Sequence, residues 1–189
     1  MKHTIYKRIL AIFCVLLLFS QMFNVALDYH QKALAIREKV LGPENIAIAS
    51  SYCSVGYIYS FLKSDYDIAL DYHQKALAIF ERVLGTEHPS VATCYNNIGT
   101  VYTEKGEYEK ALDYFQKALA IREKVLDIEH PDVANSYNNI GVVYYRRGDY
   151  ESALGYFQKA LVIYENVYGA EHTYVVNVRD RIEEIKSKL

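Results

Sequence analysis

Four stretches of the chain carry the same order of apolar and polar positions. In residues 107–126, EYEKALDYFQKALAIREKVL, the side chains Tyr108, Ala111, Leu112, Phe115, Ala118, Leu119 and Val125 recur mainly at spacings of three and four. That spacing gathers them on one stripe of an α-helix with its period near 3.6 residues. Residues 22–41, 65–84 and 149–168 repeat the pattern, and their alanines Ala26, Ala69, Ala111 and Ala153 stand 43, 42 and 42 positions apart. Away from the stripe, Asp28 and Lys32, Asp71 and Lys75, and Asp113 and Lys117 place acid before base four residues apart. Such a pair supports an exposed helix face by about 0.2–0.5 kcal/mol. Gly155 removes it from the last copy.

Between these segments lie residues 47–62, 90–105 and 132–147, which repeat in their turn. In the middle one, SVATCYNNIGTVYTEK, Val91, Tyr95, Ile98, Gly99 and Tyr102 form the apolar stripe. Pro89 and Pro131 suit a first helical turn, where the missing N–H costs nothing. Gly106 and Gly148 suit the left-handed residue that ends a helix. Gly42, Gly85 and Gly169 take the corresponding place after the other helices, and Asp127 does so once. The extra residue of the first step falls near Lys63 and Ser64, in a turn. Each unit is thus two helices and a short turn. One pair cannot hide both stripes, but stacked pairs can, which predicts an all-α superhelical solenoid of antiparallel helix pairs. The expected organisation is a hydrophobic segment 1–21, an array over 22–171 and a capping helix over 172–189. The array comprises a partial unit 22–42 and full units 43–85, 86–127 and 128–169. In the cap, Val175, Val176, Val178, Ile182 and Ile185 cover the last pair, while Arg181, Glu183, Glu184, Lys186 and Lys188 face water.

The run Tyr95, Ile98, Gly99, Tyr102, Gly106, Tyr108, Ala111, Phe115 and Ala118 resembles the tetratricopeptide repeat signature. Tyr137, Ile140, Gly141, Tyr144, Gly148, Tyr150, Ala153, Phe157 and Ala160 repeat it. The 42-residue period, longer than the usual 34, resembles the repeats of kinesin light chains. No heptad segment of the kind that joins those chains to a motor subunit is visible, so the likeness is to the cargo-binding module alone. The resemblance implies a non-catalytic scaffold that binds a protein or peptide segment. It also implies that the first helix of each pair lines a concave face. By register that face carries Ser50, Cys53, Tyr57 and Phe61, then Thr93, Asn96, Thr100 and Glu104, then Asn135, Asn138, Val142, Tyr145 and Arg146. Asn97 and Asn139 lie at its margin. Adjacent asparagines within a helix run against helix propensity, and an amide offers a peptide group both a donor and an acceptor. Their competing role is to bond within the stack and order it.

Composition narrows the chemistry further. A net charge of −2 gives no general attraction to nucleic acid. Three cysteines without metal-ligand spacing imply neither a disulfide framework nor a zinc site, and they favour a reducing, cytoplasmic location. Cys53 and Cys94 read as small buried residues with no base placed by spacing to activate them. His88, His130 and His172 each precede a helix and read as caps or solvent-facing groups. His30 and His73, standing where Phe115 and Phe157 stand, read as core histidines. No phosphate loop, nucleophile elbow, zinc-protease or dinucleotide motif is present, so neither an enzyme nor a cofactor is expected.

The N-terminus admits two readings. Lys2, Lys7 and Arg8 precede an apolar run over 9–19, as in a signal or membrane segment. A membrane contact would use residues 9–27 and make the protein membrane-associated or exported. Alternatively, Leu10, Phe13, Cys14 and Leu17 fall on the repeat stripe of a degenerate first helix, apolar on every side. That helix would suit self-association or the interior of a longer array.

Overall fold

The computed structural model describes residue 21 and residues 24–189. Helix α1 covers 24–40 and α2 Ile46–Ile58, which runs on as a π-helical turn, Tyr59–Lys63. There follow α3 (Tyr66–Leu84), α4 (Pro89–Lys105), α5 (Tyr108–Val125), α6 (Pro131–Arg147), α7 (Tyr150–Tyr168) and α8 (Thr173–Lys186). No strand occurs among the described residues. From α2 on, each helix packs chiefly on the next in chain order, so the pairs pile up as a solenoid. The apolar run 9–19 and the expected first helix lie outside the described residues. Among those described, no helix is long and apolar enough to cross a membrane.

The ends of the helices follow from local chemistry. The side-chain Nδ1 of His88, His130 and His172 accepts from the backbone N–H of Ser90, Asp132 and Tyr174, so each histidine is an N-cap. Gly106 and Gly148 take left-handed backbone at φ 76° and 85°. The other helix ends differ from expectation. Gly42 is not at positive φ, and α5 stops at an extended Leu126. Asp127 is not left-handed either: its carboxylate accepts from Glu129 N–H at 2.9 Å and forms a side-chain turn.

The extra residue of repeat two is absorbed within the helix. The π turn over Tyr59–Lys63 takes it up, and Ser64 then adopts φ 52° in the place held elsewhere by Gly106 and Gly148.

The core is built from alanines and from glycine–ring contacts. Ala69, Ala111 and Ala153, and Ala76, Ala118 and Ala160, are fully buried. A Cβ added to Gly99 would lie 2.9 Å from the Phe115 ring, and one on Gly141 3.0 Å from Phe157. These contacts let the two helices of a pair close on one another. His73 occupies the same place beneath Gly56, 1% exposed. His30, by contrast, is exposed rather than a core residue. Val125 and Val176 also leave the expected stripes and are exposed at the rim of the stack. The other four apolar residues of α8 are buried as expected.

Tyrosines tie each pair to the next. Tyr52, Tyr95 and Tyr137 donate to Glu38, Glu81 and Glu123, each 14 residues earlier. In the last step Arg179 donates to Glu165 at 2.6 Å. Within each pair, Tyr59 and Tyr72, Tyr102 and Tyr114, and Tyr144 and Tyr156 stack with centroids 5.5–5.8 Å apart. Lysines Lys75, Lys117 and Lys159 lie over these rings, adding cation–π attraction.

Candidate partner-binding face

The first helices α2, α4 and α6, with the cap α8, stand side by side, and side chains bridge each neighbouring couple. Cys53 Sγ meets Cys94 Sγ at 3.7 Å between α2 and α4. Asn139 Nδ2 donates to Asn96 Oδ1 at 2.8 Å, and Arg146 pairs with Glu104 at 2.9 Å, between α4 and α6. Tyr145 donates to Glu184 and accepts from Lys188 at 2.7 Å, between α6 and α8. Asn96 with Asn139 and Glu104 with Arg146 are thus pairs that meet across separate repeats.

Their availability varies along the row. Ser50, Tyr57, Phe61, Thr93, Glu104 and Arg146 are exposed, and Cys53, Asn96, Asn97, Thr100, Asn135, Asn138, Asn139, Val142 and Tyr145 are half-buried. Tyr57 and Phe61 are 53% and 63% exposed and stack on each other at 5.0 Å. A stacked aromatic pair in water is the largest apolar feature of the face. Beside it, a shallow cavity is lined by Ser60, Phe61, Ser64, Tyr66 and Glu104. Ser50, Ser54, Thr93 and Thr100 turn their hydroxyls back onto carbonyls of their own helices, which leaves their methylene or methyl surface outward.

Several of the expected recognition residues are engaged within the stack. Glu104 and Arg146 neutralise each other rather than presenting separate charges. Asn96 spends its carbonyl on Asn139. Asn135 accepts from the Tyr164 hydroxyl at 2.6 Å and donates to Asp132 at 3.3 Å, so it orders the α6–α7 contact. Asn138 makes no hydrogen bond among the described residues, and its amide stays open to a peptide group. The two asparagines of each doublet thus divide into one that bonds sideways and one that does not.

Sequence reasoning missed two groups. Arg122 is buried and donates to Ser136 Oγ at 2.7 Å and to the Asp132 carbonyl at 3.1 Å. Burial pushes its pKa down, with Asp132 opposing. Arg37 bonds Ser51 in the same way, whereas Phe80 and Cys94 share the core at the matching positions of the next repeat. The signal was present in the sequence: where the first position is arginine, the residue 14 later is serine. The second missed group is the thiol pair, since Cys53 and Cys94 are 41 residues apart and touch only because the repeats stack. His73 lies close enough to Cys53 to act on its thiol. No cluster of three metal-ligating side chains occurs among the described residues.

The fold agrees with known solenoids. A protein of Podosopora anserina, described as a kinesin light chain with nearly identical TPR-like repeats, superposes with a TM-score of 0.73 at 20% identity. The match covers 89% of this chain and 80% of that one. BtubC (BKLC) from P. vanneervenii gives 0.69 at 22% identity, over 88% and 74% of the two chains. A Rap protein complexed with competence and sporulation factor gives 0.72 at 25% identity, covering 89% of this chain but 44% of that one. A comparison with curated proteins found no match. Tetratricopeptide repeat profiles match residues 60–124, 100–166 and 132–187, and a further one matches 23–47. With matches over most of its length and helix pairs stacked in chain order, the chain belongs to the tetratricopeptide repeat family.

Proposed function

We propose that the chain is a non-catalytic interaction scaffold that takes an extended segment of a partner protein along the face of α2, α4 and α6. The observation that carries this reading is the make-up of the face. An exposed Tyr57–Phe61 stack gives one apolar anchor, and the open Asn138 amide gives a peptide-bonding group farther along. Between them the surface is short-chain polar, with Thr93, Asn96 and Thr100. Such a surface suits a main chain recognised by amides and two side chains recognised by stacking and packing. The Rap protein complexed with competence and sporulation factor supports a partner-binding role for solenoids of this kind. Ordering a flexible segment costs conformational entropy, so a groove of three pairs is expected to bind with modest affinity.

The test is affinity capture with mass spectrometry on the full chain, compared across two variants. Asn138→Ala and Tyr57→Ala with Phe61→Ala should each lose the partner that the parent retains. Circular dichroism and the melting curve of Asn138→Ala should stay within error of the parent. Loss of capture that tracks loss of melting temperature would make Asn138 structural and remove the recognition role.

A further inference from the structure

The junction between α2 and α4 departs from the other repeats in three ways at once. Cys53 stands where α4 has Asn96 and α6 has Asn138. Cys94 stands where α2 has Ser51 and α6 has Ser136. His73 stands where the later repeats have Phe115 and Phe157. These three departures converge in space. The two sulfurs are 3.7 Å apart across neighbouring helices, while the α4–α6 junction is bridged by the Asn139–Asn96 amide contact instead. We propose that Cys53 and Cys94 form a reversible dithiol–disulfide site, oxidised by hydrogen peroxide, that covalently joins repeat two to repeat three across the first-helix face.

The geometry supplies what such a reaction needs. A disulfide requires the sulfurs to close to about 2.05 Å, and they already touch at 3.7 Å across the two helices. Access is unequal in the useful direction. Cys53 is half-buried and borders two shallow cavities, one with Ser50, Ser90 and Thr93 and one with His30, Ser54 and Tyr57. Cys94 is fully buried behind it. Peroxide therefore meets Cys53 first, and Cys94 is the resolving thiol. Contact with the Cys94 thiol and, with a smaller effect, the neighbouring His73 imidazole hold Cys53 below the usual thiol range; burial opposes this. The same contact and burial push Cys94 upward. The pair thus divides into a nucleophile and a proton-bearing partner.

In the first step the Cys53 thiolate attacks one peroxide oxygen. The S–O bond forms, the O–O bond breaks, and hydroxide leaves to take the proton released from Cys53, giving water and a Cys53 sulfenic acid. Cys94 then attacks the Cys53 sulfur: the S–S bond forms, the S–O bond breaks, and the departing hydroxide takes the Cys94 proton as a second water. The two thiols lose two electrons and peroxide gains them. An external dithiol returns both cysteines to thiols by exchange.

The experiment treats the full-length chain with a small excess of hydrogen peroxide and maps its cysteines by peptide mass spectrometry. Wild type should give a cross-linked peptide joining Cys53 to Cys94, with a mass lower by two hydrogens. Denatured thiol titration should fall from three thiols to one. Dithiothreitol should reverse both, and the oxidised protein should melt several degrees higher. Cys94→Ser and Cys53→Asn place residues native to the sister repeats at these positions, so both variants retain the fold. Neither should gain melting temperature on peroxide treatment, and Cys94→Ser should instead accumulate oxidised Cys53. Recovery of unmodified Cys53 and Cys94, of Cys53 sulfinic acid in the wild type, or of a disulfide through Cys14 in place of this pair would overturn the assignment. None of these readouts involves a partner, so the outcome is independent of the recognition reading.

Discussion

Ser64 is the one non-glycine residue at positive φ among those described. Left-handed backbone costs an L-residue about 1–2 kcal/mol, which Gly106 and Gly148 avoid at the matching turns. Part of any gain on replacement is lost again because glycine is freer in the unfolded chain. Ser64→Gly should therefore raise stability by about 0.5–1 kcal/mol, read as a higher urea midpoint with an unchanged slope. His73 makes a second case. Its Nδ1 is buried without a hydrogen-bond partner among the described residues, a condition that costs about 1–3 kcal/mol. A Cβ added to Gly56 would lie 2.9 Å from the ring, as one on Gly99 would from Phe115. His73→Phe should thus stabilise the protein by about 1–2 kcal/mol, again by denaturant titration; a destabilised variant would show that the imidazole makes a bond the burial pattern conceals.

At the scale of the element, the two helix types behave differently. The periodicity of α1, α3 and α5 was legible because their stripes are wide and their outer faces carry acid–base pairs, found bonded as Asp28–Lys32, Asp71–Lys75 and Asp113–Lys117. Helix α2 is less regular, and its extra residue was legible only as a count. The chain could have looped it out; instead the π turn keeps Tyr59 in register to stack on Tyr72. The caps show what else the pattern holds. From position alone His88, His130 and His172 were read as caps or solvent-facing groups, and the Nδ1 acceptance decides for caps. Removing one, as in His130→Ala, should cost about 0.5–2 kcal/mol, measurable as a lower urea midpoint. The face of α2, α4 and α6 was legible as a set of residues but not as a set of free groups. Periodicity places Glu104 and Arg146 on it; only the stacking distance, which no spacing encodes, brings them together.

For the whole molecule, the rungs between pairs matter more than any one pair. Burial first, and the bond to a neighbouring glutamate second, push the Tyr52, Tyr95 and Tyr137 hydroxyls up to about 12. The folded state thus holds these protons more tightly than the unfolded chain, where tyrosine titrates near 10. Their contribution is present in full below about pH 10 and is lost as pH rises from there towards about 12. Alkaline titration followed by NMR should show the ring signals of Tyr52, Tyr95 and Tyr137 ionising together with loss of helix in that window. Ionisation of these three well before helix is lost would mean that the rungs contribute little. The stacking order itself was predictable because two-helix units have nowhere else to hide their stripes. The chemistry at the α2–α4 junction was not, because it depends on residues 41 apart in the chain becoming neighbours.

One rung differs in kind from the others. Between α7 and α8 the phenol is replaced by Arg179, and guanidinium side chains as a class are not deprotonated in proteins. Strong base should therefore unfasten the solenoid unevenly, loosening its earlier couplings while the C-terminal clasp still grips. Amide exchange followed along the chain at rising pH would find the last two helices outlasting the rest, with concentrated salt reversing that order by loosening the clasp first.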